Sequence, residues 1–192
     1  MRFVTLTIFI LLSALTASAQ SLLDTFESSL KSLGLYRVEF DVSLDGDYTL
    51  KGEYIVDKQN FYVKLGGVEL YVTDGVKYEV VAQRGEVVID SAESLGSDLL
   101  SNPAGAFVRL KEQYSISPSS VGGRAAVNLK SKEGEDSAVV VADSSGVLPG
   151  RIEYSHSGSV VSITFSSIAS YKDSLPTFDR SKYAAYEVVD MR

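Results

Sequence analysis

The chain has a single histidine, and it stands in Ser155-His156-Ser157-Gly158. An imidazole beside hydroxyls is the raw material of nucleophilic catalysis, in which the ring takes the serine proton. A catalytic triad, however, is assembled from spatial neighbours with separate roles rather than from sequence neighbours. Ser157-Gly158 is also a turn pair, so the segment reads as the end of a hairpin. Two carboxylate groupings, Asp45-Gly46-Asp47 and Glu133-Gly134-Glu135-Asp136, could offer oxygens to a cation. A calcium loop needs ligands at fixed loop positions and a distal bidentate acid, and hairpin turns explain both groupings more simply. No Gly-x-Ser-x-Gly elbow, phosphate-binding glycine loop or dinucleotide fingerprint occurs. No pair of carboxylates is set apart by spacing for general acid–base work. The expectation is a protein that is not an enzyme, with no catalytic residue, no metal and no cofactor.

Composition narrows the field further. The chain has no cysteine, which excludes disulfides, cysteine-ligated zinc, iron–sulfur clusters and a thiol nucleophile. One histidine cannot supply a two-histidine metal site within one chain. With 18 Lys+Arg against 25 Asp+Glu the net charge is −7, and no basic run is present, so nucleic acid is not an expected partner. The length of 192 residues fits one domain with a real core.

Any site must therefore be built by secondary structure that encloses something. Arg2, the apolar run Phe3–Leu12 and Ala17-Ser18-Ala19 form a basic start, a short apolar core and a small-residue cleavage site. Residues 1–19 are expected to be a cleaved secretory signal peptide, because the run is shorter than a membrane span. Leu22, Phe26, Leu30 and Leu33 then recur at helical spacing, and Gly34 follows as a helix stop. From Tyr36 the period becomes two, with Tyr36, Val38, Phe40, Val42 and Leu44 apolar between polar residues, as in a half-buried antiparallel strand. Asp45-Gly46, Asp57–Asn60, Gly66-Gly67, Asp74-Gly75 and Arg84-Gly85 punctuate further strands at the rhythm of a meander. The rhythm breaks at Ser91, where 91–100 and 103–113 read as two short helices, the second capped by Asn102-Pro103. Strands resume over 114–116, 124–132, 137–142, 151–156 and 159–168, and 185–191 reads as a last strand. The bulky sheet face, curled under short helices, is compatible with a filled core and with an apolar cavity alike.

In this order the parts resemble the LolA family of periplasmic outer-membrane lipoprotein carriers. Local stretches resemble it too: Gly52-Glu53-Tyr54-Ile55-Val56-Asp57-Lys58-Gln59-Asn60-Phe61, Val72-Thr73-Asp74-Gly75-Val76-Lys77-Tyr78, Ser101-Asn102-Pro103, Leu148-Pro149-Gly150-Arg151-Ile152, Ile163–Ile168, and the close from Phe178-Asp179-Arg180 to Glu187-Val188-Val189-Asp190. The resemblance implies an α+β, mainly β fold. It would be a strongly curved antiparallel sheet, a half-open β-barrel, with an N-terminal helix and two short lid helices over an apolar cavity, in one domain over 20–192. It implies a periplasmic, monomeric chaperone that holds the acyl chains of lipoproteins. Such a carrier receives its cargo from an inner-membrane lipoprotein-releasing complex and passes it to an outer-membrane acceptor. The acyl-chain wall would be Val38, Phe40, Val42, Tyr54, Phe61, Val63, Leu70, Val72, Tyr78 and Val80, and the lid contacts Leu95, Leu99, Leu100 and Phe107. Lys58 stands before Gln59 where the family has a lid-controlling arginine before a proline. It is the candidate lid-control residue, although a lysine is a point donor and not a planar clamp. A second reading is an envelope module of the same fold that binds a free lipid or a protein partner without catalysis. An enzyme acting on a lipid would need, in addition, a polar cluster inside the cleft.

Overall fold

The computed structural model describes residues 21–95 and 106–192. Helix α1 covers residues 21–32. The strands are β1 Tyr36–Leu44, β2 Tyr48–Asp57, β3 Asn60–Leu65, β4 Val68–Thr73, β5 Val76–Val81, β6 Glu86–Ser91, β7 Tyr114–Val121, β8 Arg124–Ser131, β9 Ser137–Ala142, β10 Pro149–His156, β11 Ser159–Ser170 and β12 Glu187–Asp190. Helix α2 is Ala106–Gln113. The protein is mainly β: all twelve strands belong to one sheet in the order β12-β6-β5-β4-β3-β2-β1-β11-β10-β9-β8-β7. The order is linear, so the sheet is open and does not close into a barrel.

The described residues form two compact units. The first contains 21–32, 43–48 and 107–164. Its strands share a layer in which Val127, Val140, Ile152 and Ile163 lie directly across from one another, with Leu129 across from Ala138 on the same side. All are buried. Helix α1 hides Leu23, Phe26 and Leu30, and the Phe26 ring meets Phe107 of α2 at 6.2 Å between centroids. The Lys111 ammonium on α2 donates to Asp24 at 2.8 Å and to Glu27 at 2.6 Å on α1. One cation thus ties the two helices. The hydrogen bonds from Lys111 and then Lys31 hold the Glu27 carboxyl below its ordinary value, against the opposing effect of burial.

The second unit contains 33–42, 49–95 and 165–192. Strands β2 to β6 form a meander in which every connection is short. At Asp74-Gly75 both residues have positive φ, 50° and 80°. That is the twist a two-residue hairpin needs, and aspartate followed by glycine tolerates it.

Several sequence expectations change. Residues 92–95 do not begin a helix: strand β6 runs to Ser91, a single 3-10 turn covers Ala92–Ser94, and Leu95 is extended again. The Ser91 hydroxyl accepts from the Glu93 amide, which favours this tight turn. The rest of the expected helical interruption, including 96–105, lies outside the described residues, and α2 is described from Ala106. Strand β7 continues to Val121, past Pro118. The last strand is no part of an antiparallel meander: β12 pairs parallel with β6. Between β11 and β12 the chain crosses the meander as an irregular strap, residues 171–186, most of which follows no strand or helix period.

Lys111→Met should lower stability by about 1 kcal/mol at neutral pH, since the pair is partly exposed. Because the folded pKa of Glu27 is depressed, its contribution is complete above 4.5 and lost as pH falls through the lowered value. Denaturant titrations of wild type and variant at stepped pH should therefore converge below about pH 4.

Candidate functional site

The register of β2 to β4 defines two faces. On one, Tyr54 faces Val63, Val56 faces Phe61, and then Val63 faces Leu70 and Phe61 faces Val72. Strand β1 adds to this face, because the Tyr36 and Phe40 rings lie 6.5 and 5.6 Å from that of Tyr54. Alternation puts Val38 and Val42 beside them. Of the expected acyl-chain wall, Val38, Phe40, Val42, Tyr54, Phe61, Val63, Leu70 and Val72 therefore share one face. It is closed: Val38 is 0% exposed, Phe61 1%, and Phe40 and Tyr54 2% each. Burial pushes the Tyr36 phenol up to about 12 and raises that of Tyr54 as well, so both stay neutral.

Phe40 is held by a glycine. A Cβ at Gly52 would stand 2.5 Å from Cε2 and Cζ of the Phe40 ring. The ring lies over β2 at the one place on that strand where no side chain lifts it.

Tyr78 and Val80 are not on this face. Val72 lies across from Lys77 and Leu70 from Glu79, whereas Tyr78 pairs with Tyr71. The apolar face ends between β4 and β5, where Lys77 faces Asp90 across β5 and β6 and pairs with it at 3.4 Å. Tyr78 and Val80 belong to the opposite face, with Ile55, Tyr62, Tyr71, Val87 and Ile89. The strap covers that face through Tyr171, Leu175, Phe178, Tyr183 and Tyr186. Phe178 is stacked between Tyr78 at 4.5 Å and Tyr183 at 5.6 Å.

The remaining expected residues divide. Phe107 is buried 6.2 Å from Phe26 in the first unit. Leu95 is half-buried after the 3-10 turn, and Leu99 and Leu100 lie outside the described residues. Lys58 is exposed at the β2–β3 turn with φ of 58° and makes no hydrogen bond or ion pair with another described residue.

Under the strap lies a cleft of about 670 Å³. Its floor is Ile55, Tyr62 and Tyr71, its walls include Arg37, Glu53 and Glu69, and its roof is strap residues from Tyr171 to Tyr183. The Glu69 carboxylate accepts from the Tyr71 hydroxyl at 2.6 Å and from Tyr183 at 2.7 Å, and the two hydroxyls are 2.9 Å apart. Burial pulls the Glu69 carboxyl upward, but these hydroxyls and the Lys64 ammonium at 3.7 Å outweigh it, and its pKa lies below the ordinary value. Sequence reasoning missed this cleft. The signal present was the density of tyrosine and phenylalanine over 171–186, which follows no helical or strand period.

Among the described residues no cluster of three or more His, Asp or Glu side chains could hold a metal ion. No helix among them is long and apolar enough to cross a membrane.

No protein-family model and no curated protein matches the chain. The fold does recur among solved structures. An uncharacterized conserved protein from Thermus thermophilus matches with TM-score 0.55 at 10% identity, over 90% of this chain and 99% of that one. LprF from Mycobacterium bovis matches with TM-score 0.45 at 16% identity, over 84% of this chain and 97% of that one. The LolA superfamily protein NE2245 from Nitrosomonas europaea matches with TM-score 0.41 at 10% identity, over 86% and 96%. The likeness to the Thermus protein is one of fold.

Gly52→Ala should destabilise the protein by about 1–3 kcal/mol, the usual cost of overpacking. Adding Phe40→Leu should recover most of that loss in a double-mutant cycle of thermal melts, because the clash is with the ring itself.

Proposed function

We propose that this chain is a periplasmic carrier that takes up the acyl chains of lipoproteins and moves them through an aqueous compartment. The observation that supports it is the apolar face of β1 to β4, which runs from Tyr36 to Val72 without a charged side chain and stops at the Lys77–Asp90 pair. An acyl chain gains about 0.8 kcal/mol per buried CH₂, so even part of one chain on this face would be held firmly.

The face is closed in the conformation described, so loading requires side chains to move apart. Phe40 is the natural first to move, since beneath it β2 presents only Gly52. Val38, Val42, Tyr54, Phe61, Val63, Leu70 and Val72 then form the acyl-chain wall, with Leu95 and Phe107 as lid contacts. Tyr78 and Val80 support the wall from behind. The partners are acylated lipoproteins, a releasing complex at the inner membrane and an acceptor at the outer membrane. Residues 20–192 act as one carrier domain and as a monomer, after removal of residues 1–19. No bond is made or broken in this work, and none of the side chains named is asked to react. The sequence resemblance to the LolA family selects lipoproteins over free lipid as cargo.

Intact mass analysis of what copurifies from the periplasm tests this directly. Acylated polypeptides should be found. Recovery of phospholipid alone, or of nothing, would turn the reading toward a lipid- or protein-binding module of the same fold. Phe40→Glu should abolish capture, because a carboxylate would stand in the apolar wall. If circular dichroism shows that variant folded and capture is intact, the face has been assigned wrongly.

A further inference from the structure

Acyl-chain carriage leaves the cleft beneath the strap without a task, and its volume is in the range of small-ligand sites. Its charges are already matched. The Arg37 guanidinium pairs with Glu39 at 2.9 Å and with Glu53 at 2.7 Å. Glu69 holds two tyrosine hydroxyls and faces Lys64. Asp179 accepts from the backbone and the hydroxyl of Ser181 at 3.0 and 2.7 Å. An anion entering the cleft would meet three carboxylates, and an ammonium would find those carboxylates already supplied with donors.

The unclaimed polar groups are of a different kind. Tyr62 is 7% exposed, lines the cleft, and its hydroxyl makes no hydrogen bond with another described residue. Tyr171, Ser174 and Thr177 also line the cleft with hydroxyls that bond to no described residue. Neutral hydroxyls can both donate and accept, which suits a ligand that does the same at many positions. Tyr171 is moreover the lining tyrosine whose ring has no aromatic neighbour among the described residues, whereas Tyr62, Tyr71 and Tyr183 all have one. A free tyrosine ring offers an apolar platform with a polar tip.

We propose that this cleft binds a short neutral oligosaccharide, whose apolar ring face lies on Tyr171 and whose hydroxyls bond to Tyr62, Ser174 and Thr177. The proposal is independent of the acyl-chain reading, since the cleft lies on the opposite face of β2 to β4.

The full chain should be applied to a glycan array, and the best neutral glycan then titrated by calorimetry. A neutral glycan should be retained, and its affinity should fall about tenfold in Tyr171→Ala, as for loss of a contact worth one good hydrogen bond. Tyr62→Phe, which removes a single oxygen and leaves the ring packing in place, should weaken it several-fold while the thermal melt shifts little. Capture of acylated cargo should be unchanged in both variants. The proposal is overturned if no glycan is retained, if only acidic glycans are retained, or if choline binds in preference. It is equally overturned if Tyr171→Ala and Tyr62→Phe bind the neutral glycan as wild type does.

Discussion

Strands β2, β3 and β4 bury side chains on both of their faces, and the second unit depends on that constraint. Tyr54, Ile55 and Val56 are consecutive and all buried, as are Phe61, Tyr62 and Val63. Successive residues of a strand point to opposite sides, so two separate apolar layers need cover here. One contains Phe40 and Tyr54, and the other receives the strap. A half-buried meander with one wet face would have needed only the first.

The change of face at β4 follows from turn geometry. A two-residue hairpin sets the residues that flank it on the same side of the sheet, so Thr73 lies across from Val76. Side-chain parity therefore passes from Tyr71 to Tyr78 and Ile89, not from Val72. Strands β5 and β6 direct their bulk to the strap, and the charged pair Lys77–Asp90 takes the position that would have extended the first apolar layer.

Much of this is legible in the sequence. The turns at Asp45-Gly46 and Asp74-Gly75 demand positive φ and announce themselves, and the alternation over 36–44 names the face of β1 correctly. The pairing of Tyr78 and Val80 with the opposite face escapes a reading that collects apolar residues strand by strand and does not carry parity through each turn. Both parities of β4 are apolar, with Leu70 and Val72 on one side and Tyr71 on the other, so composition gives no warning. The strap is invisible for a different reason. Its aromatic residues are anchored by stacking and by the hydroxyl–carboxylate bonds of Tyr183, which impose no period. The helix expected from Ser91 fails because a hydroxyl cap can close a 3-10 turn as readily as an α-helix.

An open sheet exposes rows of backbone donors and acceptors at its two ends, and such edges invite pairing with other chains. Here one end is β12, a strand of four residues in which Glu187 and Asp190 flank the exposed Val188 and Val189. The other end is β7, where Pro118 removes a donor from the middle of the edge. Parallel attachment of β12 to β6 thus does more than fix the end of the strap. It exchanges a six-residue apolar edge for a short, acidic one, and so gives a sheet of twelve strands protection against growing into fibres.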